Sequence, residues 1–270
     1  MSQEVTRQSR IATQIATKQE QISSGKRMQR ASDDPFASSR IAEIGRLQSN
    51  DSARNRNISL GISFTGQADG LLGSMSTLLE RAQELILSAV SDTNSQSGRN
   101  TIATELAVLA NDMRAMSEAN SVTGEKLFPE GPPNAIRFDD EVAFAPVPSA
   151  QSIFNINGTS ITDIILDAAS AIEADPYDAP LVGLSLTAIG RAIEHIADNR
   201  ATIGANAARL ERLQEFSAQR AIELSVERSN LEDTDLSSAI MELNVLSVTL
   251  EAAQGVFSKI NRRTLLDFLL

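Results

Sequence analysis

The sequence predicts a mainly α fold: an elongated long-helix bundle, a rod, with paired terminal helices and a small β-containing insert. Seven of the eight prolines lie between residues 129 and 180, and proline breaks helix interiors, so the proline-poor flanks can form long helices. Apolar residues in both flanks recur at alternating steps of three and four, the spacing of a bundle helix. We therefore expect two helical flanks around an irregular insert.

The N-terminal flank carries this spacing twice. One run comprises Leu71, Met75, Leu78, Ala82, Leu85 and Ala89, and the other comprises Ile102, Leu106, Leu109, Met113 and Met116. Because Pro35 follows Asp34, we expect Asp34 to cap a helix whose first residue is Pro35. That helix would continue to about residue 91, with the glycines at 61, 66, 70 and 73 as candidate interruptions.

The insert shows β-strand and helix signals in turn. Residues 137–144 and 152–156 alternate partly between apolar and polar side chains. Asn157-Gly158 is typical of a two-residue hairpin turn. Residues 164–173 have helical spacing, and the Pro176 region ends that helix.

These boundaries predict three parts. Residues 1–34 and 229–270 would be terminal helices, residues 35–128 and 181–228 a long-helix rod domain, and residues 129–180 a short insert.

Both terminal helices carry apolar stripes that need a partner, because a thin stripe alone does not stabilise a helix in water. We expect these stripes to form an assembly interface between chains, with packing inside one chain as the alternative. The N-terminal stripe is Ile11, Ile15 and Ile22; the C-terminal stripe is Ile240, Leu243, Leu246, Leu250, Phe257, Ile260, Leu265, Leu266 and Phe268.

Composition argues against most enzyme classes. The chain has no Cys, which removes thiol catalysis and thiolate metal sites, and His195 is the only histidine, which we expect to be a solvated helix residue. Aromatic residues are 4% and the net charge is −11, which disfavours nucleic-acid binding. Neither an 18-residue apolar run nor a secretory signal is present in the sequence, so we expect no membrane insertion.

Short polar motifs near the helix ends have structural interpretations. Gly25 suits the position just after a helix, where positive φ favours glycine. The acidic cluster at residues 232–235 lacks the glycine and the final Glu of an EF-hand loop, so we expect it to separate two helices. Lys26, Arg27 and Arg30 form a small basic cluster, either solvated or in contact with an acidic surface.

Several motifs resemble the bacterial flagellin family. Residues 21–27 (QISSGKR) and 31–35 (ASDDP) resemble its N-terminal segment, and residues 57–72 resemble the segment that follows. Residues 79–85 (LERAQEL) and 229–235 (SNLEDTD) resemble its later helices. Several motifs in the right order make this resemblance more specific than any one of them.

The resemblance implies a non-enzymatic structural subunit of the bacterial flagellum. In this family the chain ends pair as a coiled coil in the inner tube, the long helices form the next layer, and the variable insert faces outward. Residues 32–35 (SDDP), 124–128 (GEKLF) and 265–269 (LLDFL) are similar to members that join hook to filament, so we expect a hook–filament junction subunit. Filament flagellin is the alternative within the family, and a cytosolic helical signalling or adaptor protein is the alternative outside it.

The resemblance also implies partners and location. These are other copies of the chain, a hook-side junction protein and filament flagellin as neighbours, and an export chaperone in the cytosol. Members pass through the flagellar type III export apparatus without a cleaved signal and reach the cell exterior; neither a cofactor nor a metal is implied. In flagellins of some bacteria an innate immune receptor binds the surface that matches Arg81, Leu85 and Glu105, so these three residues are a candidate receptor surface.

Overall fold

Helices account for most of the protein. The computed structural model describes residues 2–90, 95–133 and 135–266. The helices there are α1 (Ser2–Ser24), α2 (Pro35–Ala89), α3 (Gln96–Ser117), α4 (Ala150–Phe154), α5 (Ile161–Glu173), α6 (Ala179–Glu232) and α7 (Leu236–Leu266). The strands are β1 (Ile136–Arg137), β2 (Ala143–Phe144), β3 (Asn155–Ile156) and β4 (Thr159–Ser160). The predicted mainly α class with long helices and a small β-containing insert is confirmed.

Helix α2 begins at the predicted residue. The Ala37 N–H donates to Asp34 Oδ1 at 3.0 Å, which satisfies one of the free donors of the first turn, and Pro35 has no N–H to satisfy. The carboxylate of Asp33 accepts from two N–H groups of the preceding loop, at 3.1 and 2.9 Å. The two adjacent carboxylates therefore fix the loop and the helix start respectively.

The four candidate glycines do not interrupt α2, which runs unbroken over Pro35–Ala89. At Gly61 a Cβ atom would lie 3.0 Å from the side chain of Leu210 and 3.0 Å from the ring of Phe138. Glycine at this position therefore allows close packing, and it does not mark a helix break.

The main core lies in a compact unit that spans Asp51–Ala218. Helices α2, α3, α5 and α6 supply most of its buried side chains, including Leu72, Met75, Leu79, Ile86, Leu106, Met113, Ile165, Ile172, Ile189, Ile196 and Ile203. The predicted α2 stripe is shifted by one residue in places, because Leu72 and Leu79 are buried while Leu71 and Leu78 are partly buried.

The insert contains two short hairpins, and the sequence predicts one or two. Strand β1 pairs antiparallel with β2, and β3 with β4. The turn between β3 and β4 is Asn157-Gly158, with φ of 53° and 89°, as a primed hairpin turn requires. The strand expected over residues 152–156 is wrong in part, because Ser149 caps the short helix α4 over Ala150–Phe154 and only Asn155–Ile156 is a strand.

A second compact unit comprises the residues up to Asn50 and those from Gln219 onward. By sequence, the Asp51–Ala218 unit holds 22 acidic and 11 basic side chains and thus carries the whole net charge of −11. The second unit, which contains both chain ends, has a formal net charge of zero. Its association with another copy of the same unit therefore meets no net charge repulsion. The three-part division predicted from the sequence stays a prediction.

Candidate assembly interface

Helix α1 has a single apolar face. Ile11 is 8% exposed, and Ile15 and Ile22 are half-buried, whereas Thr13 and Thr17 lie on the exposed side. The hydroxyls of Thr13 and Thr17 donate to the backbone carbonyl groups four residues earlier, at 3.0 and 3.1 Å. Apart from Val5, which is 55% exposed, the remaining surface of α1 is mainly polar.

Helix α7 packs antiparallel against this face of α1. Its contact residues, which we call the inner seam, are buried or half-buried and recur at steps of four and three: Ala239, Leu243, Leu246, Leu250, Ala253 and Phe257. Lys18 Nζ lies 2.6 Å from Glu242 Oε2 at the edge of the seam. The two apolar stripes thus contact each other inside one chain, which was the alternative to the expected contact between chains; an interface between chains through these residues stays a prediction.

A second apolar stripe runs along the outer side of α7. At 100° per residue its centre lies roughly 140° from the inner seam around the helix. We call it the outer stripe: Met241, Val245, Val248, Ala252 and Val256. Its four large side chains are between 58% and 65% exposed. Five apolar residues at steps of four, three, four and four form a helix-packing surface that nothing in the described chain covers.

Two open grooves border the α1–α7 pair. One, of about 520 Å³, is lined by Thr13, Gln14, Thr17 and Lys18 of α1 and by Met241, Glu242, Val245 and Leu246 of α7. The other, of about 350 Å³, is lined by Glu4, Arg7 and Ile11 of α1 and by Thr249, Ala252, Ala253, Val256 and Phe257 of α7. Residues of the outer stripe line both grooves, which follow each other along the same side of α7, so a further helix could pack there.

The two ends of the sequence match models of one family. Residues 2–131 match the bacterial flagellin N-terminal helical region, and residues 186–269 match the bacterial flagellin C-terminal helical region. The chain belongs to the bacterial flagellin family. Its relatives are structural components of the flagellum, so this flagellin-family chain is a flagellar structural subunit, and the cytosolic adaptor alternative is not supported.

Individual relatives include both flagellins and hook-associated proteins. Flagellin of Listeria innocua is 23% identical over 253 residues, covering 90% of this chain and 87% of that protein. Flagellar hook-associated protein 3 of Salmonella typhimurium is 24% identical over 282 residues, covering 88% of each. Sequence identity does not separate the two classes.

Solved structures show the same fold. A putative flagellar hook-associated protein from Vibrio parahaemolyticus has a TM-score of 0.69 at 19% identity, covering 74% of this chain and 100% of that chain. FlgL from Xanthomonas campestris has a TM-score of 0.59 at 13% identity, covering 69% of this chain and 99% of that chain.

The structure places the predicted interface residues of this flagellin-family chain in three groups. The inner face of the α1–α7 pair holds Ile11, Ile15, Ile22, Leu243, Leu246, Leu250 and Phe257. Ile240 is 46% exposed and lies at the edge of this face. The side chains of Ile260, Leu265 and Leu266, and the whole of Phe268, lie outside the described part. Sequence reasoning missed the outer stripe, although its steps of four and three were a usable signal.

Helix α7 is also apolar enough to be compared with a membrane span. By length and composition Leu236–Lys259 could cross a membrane, with a mean hydropathy of 1.2 and only 6% of that window buried. The sequence-based expectation of no membrane insertion overlooked this segment. The two apolar faces of α7 account for the hydropathy, and Glu242 and Glu251 lie within the segment.

Only two of the three residues of the candidate receptor surface have exposed side chains. Arg81 Nη2 lies 2.8 Å from Glu105 Oε1, and Arg81 Nη1 lies 3.2 Å from Glu84 Oε2. The hydrogen bonds that Arg81 donates to Glu105 and Glu84 raise the pKa of Arg81 above its usual value. Leu85 is 6% exposed and belongs to the main core, so the three-residue surface is corrected to the Arg81–Glu105 pair.

His195 is half-buried rather than solvated, which corrects the sequence-based expectation. Its Nε2 lies 3.0 Å from the carbonyl oxygen of Ser152 and 3.3 Å from Nδ2 of Asn199. This histidine ties α6 to the insert.

Proposed function

We propose that the chain is a hook–filament junction subunit that polymerises through its terminal helices. The observation that supports polymerisation is the exposed outer stripe of α7. An exposed run of Met and Val side chains is costly in water, and covering the roughly 60% of each side chain that is exposed would contribute about 1–2 kcal/mol. Other copies of the chain are the proposed cover, since polymers are built from repeated contacts of one surface.

One feature supports a junction subunit over filament flagellin. The ASDDP segment at residues 31–35 forms the capped start of α2 that the junction-like motif requires, with Asp34 capping the helix. The sequence identities to hook-associated protein 3 (24%) and to flagellin (23%) are nearly equal, so they do not distinguish the two roles. The proposed neighbours are a hook-side junction protein and filament flagellin, with transport through the flagellar type III export apparatus without a cleaved signal, assisted by an export chaperone.

Immunogold labelling of detached flagella tests this function. The junction role predicts a single band where hook meets filament. Labelling along the whole filament would assign the chain to filament flagellin instead. Protein found in the cytosol alone would contradict both roles.

A further inference from the structure

The turn between β3 and β4 contains the only Asn-Gly pair in the sequence. Asn157 and Gly158 are both exposed, and both have positive φ, of 53° and 89°. The strands on either side contain two residues each and lie in register over those two positions. A two-stranded hairpin this short is marginally stable by itself. Little β structure therefore restrains the turn.

An asparagine side chain can react with the backbone nitrogen of the residue that follows it. In this turn the Gly158 nitrogen would attack Cγ of Asn157; the N–Cγ bond forms, the Cγ–Nδ2 bond breaks, and ammonia leaves with the proton of the Gly158 N–H. The product is a cyclic imide. Water then opens the ring on one of two sides, which gives either aspartate or isoaspartate, in which the main chain runs through Cβ and Cγ. Because the reacting groups belong to adjacent residues, the first step is intramolecular, and water is the only co-reactant.

The local structure leaves both reacting groups accessible. Gly158 has no Cβ to shield its nitrogen. Among the residues that the structure describes, none makes a hydrogen bond to the Gly158 N–H or to the Asn157 side chain. The left-handed conformation of Asn157 is disfavoured for an L residue, so its intrinsic preference does not oppose rotation towards the geometry of attack.

Asn120-Ser121 lacks these features, although Asn120 is also exposed. The Ser121 N–H donates to the carbonyl oxygen of Glu125 at 2.7 Å, and Ser121 is 9% exposed. Its nitrogen is shielded by a side chain and engaged in a hydrogen bond that must break before the nitrogen can attack. This pair is therefore an internal reference for the reaction at Asn157.

We propose that Asn157 is a site of spontaneous covalent modification, at which the folded chain converts its own hairpin turn to aspartate and isoaspartate. The reaction needs no enzyme, because the attacking nitrogen, the side-chain amide and solvent water supply every atom. This inference goes beyond the proposed function and does not depend on it.

Isoaspartate would alter the hairpin and the helix that follows it. It adds a methylene group to the main chain inside a two-residue turn, and the length and conformation of that turn fix the strand register. Ser160, the last residue of β4, also caps α5, since its side chain accepts from the Thr162 N–H at 3.2 Å. The change at Asn157 should therefore reach the first turn of α5.

Either product also changes the charge of a groove. Asn157 lines a groove of about 500 Å³ between the hairpin, α5 and α6, together with Leu181, Leu184 and Arg191. Conversion of the amide to an acid places a carboxylate in this groove, which already contains Asp167.

Peptide mapping by mass spectrometry tests the reaction in the full-length chain, kept folded at mildly alkaline pH. We expect conversion at Asn157 to be roughly tenfold or more faster than at Asn120, because the hydrogen bond of Ser121 must first break. The rate should fall at mildly acidic pH, because attack requires the Gly158 nitrogen to lose its proton. Equal rates at Asn157 and Asn120 would overturn the proposal. Conversion of Asn157 in denaturant alone would overturn it as well, since the folded turn would then be protective.

A matched variant separates the two products. Asn157→Asp introduces the charge without the extra methylene group, and aspartate before glycine suits the same primed turn. Amide exchange at residues 155–163 should be unchanged in freshly purified Asn157→Asp and roughly two- to tenfold faster in aged protein in which methylation by an isoaspartyl methyltransferase detects isoaspartate. Equal exchange in the two samples would contradict the expected disturbance of the hairpin. Since all these readouts concern the Asp51–Ala218 unit in solution, failure here leaves the immunogold test of function untouched.

Discussion

Helices α1 and α7 form one antiparallel pair, yet their surfaces differ. Helix α1 buries its apolar stripe and, apart from the exposed Val5, presents mainly polar side chains elsewhere. Helix α7 uses the inner seam against α1 and still exposes the outer stripe. Helix α7 thus keeps an uncovered apolar stripe after pairing with α1, and this difference supports the proposed assembly surface on α7.

The largest expected effect comes from a charge in the outer stripe. Val245→Asp should abolish assembly, because an unpaired carboxylate in a dry contact costs several kcal/mol, while in the monomer the same side chain is solvated. Circular dichroism of the purified variant should match that of the unmodified protein. Asn244→Asp, on the adjacent polar side of α7, is the control and should assemble. Normal filament attachment in cells that carry Val245→Asp would show that the stripe is not an assembly surface.

An inner-seam substitution should affect the monomer first. Leu250→Ala should destabilise the α1–α7 pair by about 1–2 kcal/mol, roughly half the usual cost for a fully buried leucine, since Leu250 is half-buried. Amide exchange in α1 measures this loss. Val248→Ala in the outer stripe removes a similar side chain and should leave α1 exchange unchanged in the monomer. If both variants speed amide exchange in α1 equally, the inner seam and the outer stripe do not differ in their contribution to the α1–α7 pair.

The amino-acid pattern predicts the features that depend on local chemistry. Asp34 before Pro35 predicts the start of α2, and Asn157-Gly158 predicts the second hairpin, because caps and turns are set by adjacent residues. The outer stripe was missed because a single heptad stripe was assigned to α7, although that helix has two. The burial of Leu85 and the contact of Gly61 with Phe138 depend on which distant segment packs there, so spacing along one helix did not predict them.

Acid should weaken the contacts of Glu232 with Lys26 and Arg228, which join the end of α6 to the loop after α1. Hydrogen bonds from Lys26 and Arg228 lower the pKa of Glu232 below its ordinary value of 4.5. The ionised form therefore stabilises the folded state above that value, and the contribution is lost as pH falls through the lowered pKa. Protection of α1 and α7 amides, corrected for intrinsic exchange, should hold from neutral pH to about 4.5 and then decline. Glu232→Gln should show a weaker decline; an identical profile would exclude Glu232 as the responsible group.

The smallest effect concerns the ion pair at the edge of the inner seam. Lys18→Met keeps the aliphatic part of the side chain and removes the charge opposite Glu242, both of which are partly exposed. We expect at most about 1 kcal/mol of destabilisation in α1, less at high salt. Exchange measured at low and high salt checks this. A loss that does not depend on salt would indicate packing by the lysine stem rather than charge.

Cysteine accessibility in intact flagella tests the central claim most directly, that the outer stripe of α7 is covered by other subunits. The chain has no cysteine, so Val245→Cys introduces a single thiol, and Leu243→Cys in the inner seam supplies a protected reference. The thiol at position 245 should react with maleimide in the monomer and become protected in isolated flagella, while the thiol at position 243 should react slowly in both. Equal reactivity at position 245 in monomer and flagella would contradict the assignment of the outer stripe as the assembly surface.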